Sequence, residues 1–435
     1  MSKSKSPDKL INAGDVIVDE IKLVSYTGFE LDLRKIVGDF TIYEDIHSNC
    51  LSGSLVFPDS MNMVKNFPII GQEDLYITFY TPGLDSKPRR VRFKVYKVSS
   101  YIRGEGSITV AIRLEFISHI AELSSQLKFN RVMRNMKFSE MVNTLHSDLI
   151  KVDPLLPPIT INDTYGKTTV LLTNWSPLYA INWFANRSVS PNNRQICDYL
   201  FYETLDGFNF TPMSALKQLP SVCTYKSAPG GFRAKSGDRM IESELRNISS
   251  YSIRDMGDKI RESRLGVYSS NILVHEVTTK SYYANNFSYR DSFGDTPHMN
   301  KGRMIPYDSK SQNRPNSYLK YYDKSHFMYE NVDDSSFVDK SPYRQSLLNQ
   351  MNSMTMTIDV YGDSTLRVGH MVDLEFFTQE YSKDKDDYLD RYLSGKYMVT
   401  AIMHNVTDGI HTMRVTIARD TYNEELPDKK EKTLR

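Results

Sequence analysis

The sequence predicts a mainly β protein with a mixed α+β middle, in which one antiparallel barrel occurs twice. Apolar and polar residues alternate near both ends of the chain, and this period of two indicates strands. Between these regions the apolar residues follow helical spacing. The two alternating regions also match each other in order, which indicates a repeat.

The first predicted domain spans residues 12–118 and consists of short strands with polar turns between them. Its clearest strand covers residues 107–116, where every second residue is apolar. Val91, Phe93 and Val95 alternate with polar neighbours in the same way. Such a series of short strands predicts an antiparallel sandwich or barrel with one apolar face.

The second predicted domain, residues 119–240, mixes helices with strands. Apolar side chains at helical spacing predict an amphipathic helix over residues 138–149 that faces a core. A second helix is predicted to begin at Ser176 and Pro177, because serine is a good helix cap and proline suits the first helical position. The two tryptophans of the chain lie in or beside this helix and are predicted core residues.

The third predicted domain is discontinuous and forms the second barrel from residues 241–282 and 352–421. Residues 265–282 are interpreted as a pair of strands within it. Near the end of the chain, Asp408 and Gly409 separate two alternating runs, and this dipeptide predicts a tight hairpin.

An insertion interrupts the third domain at residues 283–351. It is rich in Asn, Ser, Tyr and Pro and shows little periodicity, so it is interpreted as an insertion or a partner-binding arm. A short helix near residues 342–351 is predicted to end it. Residues 422–435 are predicted to form a flexible tail.

The two β regions correspond over several segments. The matched apolar pairs in the last hairpin of each region are Phe93 with Tyr397, Val95 with Val399, Val98 with Ile402, Ile108 with Met413, Val110 with Val415, and Ile112 with Ile417. Ahead of each hairpin, a glycine precedes three alternating apolar residues. These are Gly71 before Leu75, Ile77 and Phe79, and Gly369 before Val372, Leu374 and Phe376. One chain is therefore predicted to hold two copies of one barrel.

Composition indicates a folded protein without a strong attraction for polyanions. The 435 residues carry 54 basic and 53 acidic side chains, a formal charge of +1, so no net field attracts nucleic acid or an anionic membrane. The three cysteines are widely spaced and form no CxxC pair, which indicates a reducing cytoplasm rather than a disulfide framework or a zinc site. The basic start is not interpreted as a secretory signal, and no membrane helix is predicted.

Side chains able to do chemistry fall in patterns that favour structural roles. His404 and His411 flank the predicted turn and are interpreted as two exposed hairpin residues, because no third metal ligand is in view. Three acidic pairs could suggest a glycosidase, but neighbours on a strand point to opposite faces, so each pair is interpreted as one solvent-facing group and one cap. The pairs are Asp19-Glu20, Glu44-Asp45 and Glu73-Asp74. No catalytic residue, metal ligand or cofactor is predicted.

Three blocks of sequence carry a resemblance to a known family. The first block consists of Gly53, Leu55, Phe57, Asp59, Asn62, Pro68, Ile69, Gly71, Glu73 and Leu75. The second is the run Leu265, Gly266, Val267 and Tyr268 with the strand that follows, and the third extends from Leu366, Val368 and Gly369 to Thr416. In their order and spacing the blocks resemble the central baseplate hub of contractile-tailed bacteriophages, whose relatives include the N-terminal part of type VI secretion spike proteins.

The resemblance implies an architecture rather than a reaction. Family hubs are homotrimers in which each chain supplies two tube-like β-barrels, so that three chains make a pseudo-sixfold ring. One face of the ring would stack on the tail tube protein and the other would hold the central spike protein. The lumen would pass DNA or the tape-measure protein without sequence-specific binding, and baseplate wedge proteins are further candidate partners. The implied location is the virion tail baseplate, assembled in the host bacterial cytoplasm.

The stretch from residue 53 to residue 75 then has a structural interpretation. Its strand is predicted to break at Pro58, after which the chain would cross the barrel end as far as Pro68. Asp59 and Asn62 would close the turn through side-chain to backbone hydrogen bonds. Gly71 would permit the bend that starts the next strand.

Two other functions stay open from the sequence. A tail-associated cell-wall hydrolase with an unrecognised site is the first, and it predicts lytic activity that depends on one carboxylate. The equivalent ring of a secretion or injection particle is the second. Sequence does not separate it from the hub, because the lumen has the same geometry in both.

Overall fold

The computed structural model describes residues 9–59, 67, 69–84, 89–103, 110–194, 196–227, 238–276, 280–303, 316–322, 337–377, 389–390 and 392–424. Its largest feature is one thirteen-stranded, mostly antiparallel sheet to which both ends of the chain contribute. The N-terminal strands of this sheet are β1 (Ile17–Val24), β2 (Glu30–Asp32), β3 (Asp39–Asp45), β4 (Ser52–Asp59), β5 (Asp74–Tyr80), β6 (Val91–Arg103) and β7 (Val110–Ser118).

Alternation of apolar residues builds these strands as predicted. In β7, Val110, Ile112, Leu114 and Phe116 are all buried. The residues between them point away from the core, as expected for side chains on a pleated strand. The inward faces of β1 and β3–β7 form one apolar cluster that includes Phe57 and Phe93.

Residues 119–217 form the mixed α+β middle. Its elements are α1 (His119–Gln126), β8 (Phe129–Met136), α2 (Phe138–Val152), β9 (Ile159–Ile161), β10 (Thr168–Trp175), α3 (Pro177–Ala185), β11 (Tyr199–Thr204), β12 (Gly207–Pro212) and α4 (Met213–Lys217). The inner face of α2 is fully buried in a second apolar cluster, so the predicted amphipathic helix is confirmed. Helix α3 starts at Pro177 after Ser176, also as predicted. Trp175 and Trp183 pack against this cluster with ring centres 5.2 Å apart.

The rest of the chain adds strands to the large sheet and forms a smaller unit beside it. The elements are β13 (Ser221–Ser227), α5 (Asp238–Leu245), β14 (Ser250–Met256), α6 (Lys259–Arg264), β15 (Ser269–Glu276), β16 (Ser281–Ser288), α7 (Tyr289–Ser292), a 3₁₀ turn (Phe293–Asp295), β17 (Gly302–Arg303), β18 (Asn316–Tyr322), α8 (Phe337–Gln350), β19 (Met354–Tyr361), β20 (Met371–Phe376), β21 (Gly395–Thr407), β22 (Ile410–Arg419) and β23 (Thr421–Tyr422). Within the described residues, no helix is long and apolar enough to cross a membrane.

Two halves of the large sheet have the same strand order. The order β3-β4-β7-β6-β5-β1, which we name the first repeat, corresponds to β14-β19-β22-β21-β20-β13, the second repeat. The halves differ in one pairing, because β1 is antiparallel to β5 whereas β13 is parallel to β20. The second repeat has its own apolar cluster, which includes Ile358, Leu374 and Val415.

The register of the two repeats supports part of the residue correspondence predicted from the sequence. β6 and β21 are both thirteen residues long. Each has a bulge after its fifth residue, next to Val95 in one and Val399 in the other. Val95 donates its N–H to the carbonyl of Glu73, and Val399 donates to the carbonyl of His370, both at 2.9 Å. The first strand of each hairpin therefore aligns as predicted.

The second strand of each hairpin aligns differently from the prediction. Val95 pairs with Phe116, and Val399 pairs with Ile417, so these two partners correspond. The predicted match of Ile112 with Ile417 is therefore wrong by four residues. The cause is the turn, because six residues separate β6 from β7 and only Asp408 and Gly409 separate β21 from β22.

The predicted tight hairpin at the end of the chain is confirmed. Thr407 pairs with Ile410, which leaves a two-residue loop. Asp408 and Gly409 have φ angles of 52° and 79°. Two successive positive φ angles define the type I′ turn that matches the twist of paired strands.

The strand pair predicted at residues 265–282 exists but belongs to another sheet. β15 pairs with β16 on one side and with β18 on the other, in a separate three-stranded sheet. Of the strands that the structure describes within residues 241–282, only β14 lies in the sheet of the second repeat. The predicted helix near 342–351 is present as α8 but starts earlier. The division of the chain into domains stays a prediction.

Candidate assembly site at the joint between the repeats

The two repeats meet edge to edge, and we name this contact the joint. The C-terminal half of β21 pairs antiparallel with β3, from Ala401 opposite Asp45 to Thr407 opposite Asp39. On one face, the Thr41 hydroxyl donates a hydrogen bond to the Asn405 side chain at 3.1 Å. The sheet therefore continues from one repeat into the next without a break.

Glu44 ties three parts of the chain together at the joint. Its side chain is buried on β3. One carboxylate oxygen accepts the N–H of Leu205 from the middle unit at 3.1 Å. The other accepts the N–H of Val368 from the second repeat at 3.3 Å. Because a buried N–H needs an acceptor, this carboxylate fixes the distances among all three parts.

Two histidines form a buried pair beside Glu44. His404 Nδ1 and His411 Nε2 are 3.1 Å apart, and both side chains are fully buried. His404 Nε2 lies 3.7 Å from a Glu44 oxygen, and both rings contact the edge of Phe79. The prediction that these histidines are exposed hairpin residues is wrong, because the joint covers the hairpin face on which they lie.

We expect the free energy of unfolding to fall as the pH drops below about 6.5, the usual pKa of histidine. Burial holds the pKa of His411 well below that value, and the nearby His404 and Arg367 side chains lower it further. Below pH 6.5 the unfolded chain therefore binds a proton that the folded chain does not, at a slope of up to about 1.4 kcal/mol per pH unit. Urea titrations at pH 7.5 and pH 5.5 measure this loss.

The variant His411→Gln isolates the contribution of this one ring. Other groups also contribute to the wild-type slope. Burial lowers the pKa values of His119, His146 and His370, which adds to the loss, whereas the pKa of Glu203, raised by burial to about 7, opposes it. The variant is expected to lose less stability between the two pH values than the wild type does. Equal losses in both proteins would contradict the assignment.

A second set of contacts holds the other side of the joint. Thr81 follows β5 and donates its N–H to the Ser364 hydroxyl at 2.8 Å, while the Ser364 N–H returns a bond of 3.0 Å to the Thr81 hydroxyl. Gly362 donates its N–H to the carbonyl of His411 at 2.8 Å. A Cβ at Gly362 would lie 2.0 Å from the His411 ring, so the close packing here requires glycine.

Glu203 makes a similar link between the middle unit and the first repeat. Its buried carboxylate accepts the Leu51 N–H at 3.0 Å and the Ser118 hydroxyl at 2.9 Å. Burial raises the pKa of Glu203 to about 7. Nothing in the local sequence pattern marked this residue, because its partners are more than eighty positions away.

The stretch from residue 53 to 59 is a continuous strand, so the predicted break at Pro58 is wrong. β4 runs to Asp59, with Pro58 opposite Ala111 on β7. Pro58 lies beyond the last β4 residue that pairs with β3, so its missing N–H removes no bond to that strand. Asp59 is buried at the end of β4. Asn62 and Pro68 lie outside the described residues.

Gly53 is required by a close approach between neighbours. A Cβ there would lie 2.2 Å from the Thr41 carbonyl oxygen and 2.5 Å from the Phe116 ring. Any larger residue would therefore push β3 and β7 away from β4.

Gly71 and Glu73 together shape the entry to β5. Gly71 has a φ of 84°, which glycine adopts without strain. The buried Glu73 carboxylate accepts the N–H groups of Ile70, Gly71 and Gln72 at 2.7, 3.0 and 3.1 Å. Glu73 is thus a cap, as predicted for one member of each acidic pair.

The second repeat uses the same device with different residues. Gly369 has a φ of 86°, and a Cβ there would lie 2.6 Å from the Tyr202 hydroxyl. His370 takes the place of Glu73, because its Nδ1 accepts the Arg367 N–H at 3.2 Å. The two predicted glycines therefore occupy equivalent bends.

Gly266 and Tyr268 follow helix α6 and end it. Gly266 has a φ of 70°; its N–H and that of Val267 donate to the carbonyls of Ser263 and Glu262 at 3.1 and 3.0 Å. This pair of bonds is a Schellman motif, which favours glycine at that position. The Tyr268 carbonyl accepts the Tyr289 N–H at 2.8 Å, so this residue connects the helix end to the three-stranded sheet.

Comparisons with known proteins bear on the fold. No protein-family model matches the sequence, and no curated protein does either. The tail protein from Neisseria meningitidis MC58 has a TM-score of 0.54 at 10% identity, over 95% of this chain and 100% of that chain. The prophage MuSo2 43 kDa tail protein from Shewanella oneidensis has a TM-score of 0.53 at 11% identity, over 92% of this chain and 98% of that chain. The chain has a tail-protein fold, and the predicted mainly β fold class is confirmed.

Proposed function

We propose that this chain is a structural subunit of a phage tail baseplate hub, and that three copies form a ring with pseudo-sixfold symmetry. The observation that carries the proposal is the joint, where two repeats of the same strand order continue one sheet. Three chains would contribute six such repeats. A threefold assembly would then present six similar units to a sixfold tail tube.

The tail-protein fold supports placing the chain in the tail. In this role one face of the ring contacts the tail tube protein and the other holds the central spike protein, while DNA or the tape-measure protein passes through the lumen. Baseplate wedge proteins are candidate contacts at the outer surface. The function is assembly in the virion, without covalent chemistry.

Three buried carboxylates, one of them in the joint, fit a structural role. Glu44, Glu73 and Glu203 each accept main-chain N–H groups, so their carboxylates hold chain segments in place. A rigid link between the repeats suits a ring, because a heterologous contact closes only when each unit meets the next at a fixed angle.

Analytical ultracentrifugation of the purified chain, alone and with its candidate spike, tests the proposal. We expect a mass of three copies in at least one sample, because an obligate assembly can require its partner to form. A monomer in both samples at every concentration would contradict the ring, and a screen for wall-lysing activity would then take precedence.

A further inference from the structure

Among the described residues of the large sheet, two strand edges are unpaired although the equivalent edges of the other repeat form the joint. Residues 97–103 of β6 pair with β7 on one edge, but β5 pairs only with residues 91–94. The corresponding half of β21 uses its second edge to bind β3 in the joint. β14, which corresponds to β3, is paired only with β19. The two open edges are therefore the ones that a second joint would use.

The exposure of equivalent residues shows what the missing contact would cover. On the inward face of β3, Phe40 and Ile42 are 2% and 0% exposed. Their equivalents on β14, Tyr251 and Ile253, are 47% and 38% exposed. On the other strand, Ile402 is 1% exposed, whereas its equivalent Val98 is 37% exposed.

An aromatic contact confirms that β14 corresponds to β3. Phe40 packs edge-on against Phe79 with ring centres 5.5 Å apart, and Tyr251 packs edge-on against Phe376 at 4.9 Å. Phe79 and Phe376 are equivalent in β5 and β20. The two sites differ in the strand beside them, because β21 pairs with β3 next to Phe40, whereas no described strand pairs with that edge of β14.

We propose that the open edge of β6 in one chain pairs antiparallel with the open edge of β14 in a second copy of this chain, with Val98 opposite Met256. The register follows from the joint, where Ile402 lies opposite Glu44. On β14, Met256 pairs with Met354. Met354 is equivalent to Leu51, which Glu44 would face if the pairing of β3 with β4 continued. Met256 is therefore equivalent to Glu44. The inference rests on the proposed ring and specifies how its chains meet.

A second copy is the occupant that fits both edges at once. Each chain carries one edge of each kind, so a head-to-tail contact would pair both of these edges in every chain once the ring closes. Natural proteins usually protect exposed edges with charges, prolines or bulges. β14 has one bulge after Ile253, but its apolar Tyr251, Ile253 and Met256 are all exposed, as expected for a surface that an interface buries.

A pair on the outer face allows the register to be tested. β6 has a second bulge after Val98, so Ile102 lies opposite Ala111, the equivalent of Thr412. Ile102 is therefore equivalent to Asn405, which pairs with Thr41 in the joint. Thr41 is equivalent to Ser252, so Ile102 of one chain would face Ser252 of the next. Ile102 and Ser252 are both exposed in the single chain, so cysteines there are accessible.

The test is a full chain that carries both Ile102→Cys and Ser252→Cys, treated with a mild oxidant in the oligomeric sample. We expect disulfide-linked multimers on a non-reducing gel, up to three chains, since cross-strand neighbours lie within disulfide range. The chain with Ile102→Cys and Ile253→Cys is the matched control, because residue 253 points to the opposite face. It is expected to cross-link at least tenfold less.

Sedimentation of the same samples under reducing conditions separates this proposal from the ring itself. The chain could sediment as three copies and yet form no disulfide between positions 102 and 252, or form as many disulfides in the control. Either result would overturn the proposed pairing but not the ring. A chain that never sediments as a multimer would overturn both.

A charge on the open edge gives a second readout. Ile253→Lys is expected to raise the dissociation constant of the multimer at least about tenfold, with an unchanged melting temperature of the free chain. Ile260→Lys, on the exposed surface of α6, is the control and is expected to leave assembly unchanged. Equal effects of the two substitutions would overturn the proposal.

Discussion

Lys217→Met is expected to lower the free energy of unfolding by about 3–5 kcal/mol, because it leaves a buried carboxylate without its cation. Lys217 Nζ lies 2.8 Å from Asp420, and the two side chains are 1% and 0% exposed. Methionine keeps the length and the apolar stem of lysine, so the change removes mainly the charge. Urea unfolding followed by circular dichroism measures the loss.

The surroundings of Asp420 explain why the loss is large. The carboxylate also contacts His298 Nδ1 at 2.9 Å and accepts the Met299 N–H at 3.3 Å, so it joins the C-terminal strand to the segment before β17. Burial alone would raise the pKa of Asp420, but Lys217 and His298 hold it well below its usual range. Without Lys217, the buried carboxylate loses its lysine cation and keeps only the contacts with His298 and the Met299 N–H.

The pH dependence has a definite sign. A depressed pKa adds stability that is present above the unfolded value of about 3.9 and is lost as the pH falls below it. The variant loses that contribution, so the gap between wild type and variant should be widest at neutral pH and shrink in acid. A gap that grows as the pH falls would contradict this account.

Arg414→Met is the matched control for this prediction. Arg414 pairs with Asp359 at 2.8 Å, a distance equal to that of the buried pair, but the side chains are 60% and 35% exposed. Exposed pairs contribute about 1 kcal/mol or less. If both substitutions cost the same, burial would not be the reason for the effect at Lys217.

Local patterns in the sequence were sufficient to predict several strands, three of the helices and one turn. Period-two alternation located β7, helical spacing located α2, and Asp408-Gly409 identified a type I′ hairpin. Each of these signals depends on neighbours within a few residues. The longer connection between β6 and β7 was not predictable in this way, and it shifted part of the repeat correspondence.

The joint depends on contacts between distant residues, which is why the sequence did not predict it. Glu44 and Val368 are 324 positions apart. One local signal for the buried histidines does exist, because His404 lies in phase with the inward-facing Ile402 and Val406 of β21. Polarity suggested exposure, whereas the phase of the alternation correctly indicated burial.

Glu44→Ala is expected to cost about 2–6 kcal/mol, because it leaves two buried N–H groups without an acceptor at about 1–3 kcal/mol each. Those donors are Leu205 and Val368, which belong to the middle unit and the second repeat. The loss should therefore appear as a loosening between parts of the chain. Faster hydrogen exchange at both amides, measured together with urea unfolding, reports it.

Two further substitutions refine this test. Glu44→Gln keeps a single acceptor oxygen, so we expect its free energy of unfolding to lie between those of the wild type and the alanine variant. Asp45→Ala changes the next residue, whose carboxylate accepts the His47 N–H in an exposed turn at 2.8 Å. It is expected to cost about 1 kcal/mol at most.

The ring adds a consequence for assembly. If the joint sets the angle between repeats, Glu44→Ala should also weaken the three-copy assembly, although residue 44 lies away from the proposed contact between β6 and β14. Normal assembly in a variant whose Leu205 and Val368 amides exchange freely would show that the angle is fixed elsewhere. Reduced assembly together with that exchange would instead link the stability of the single chain to the geometry of the ring.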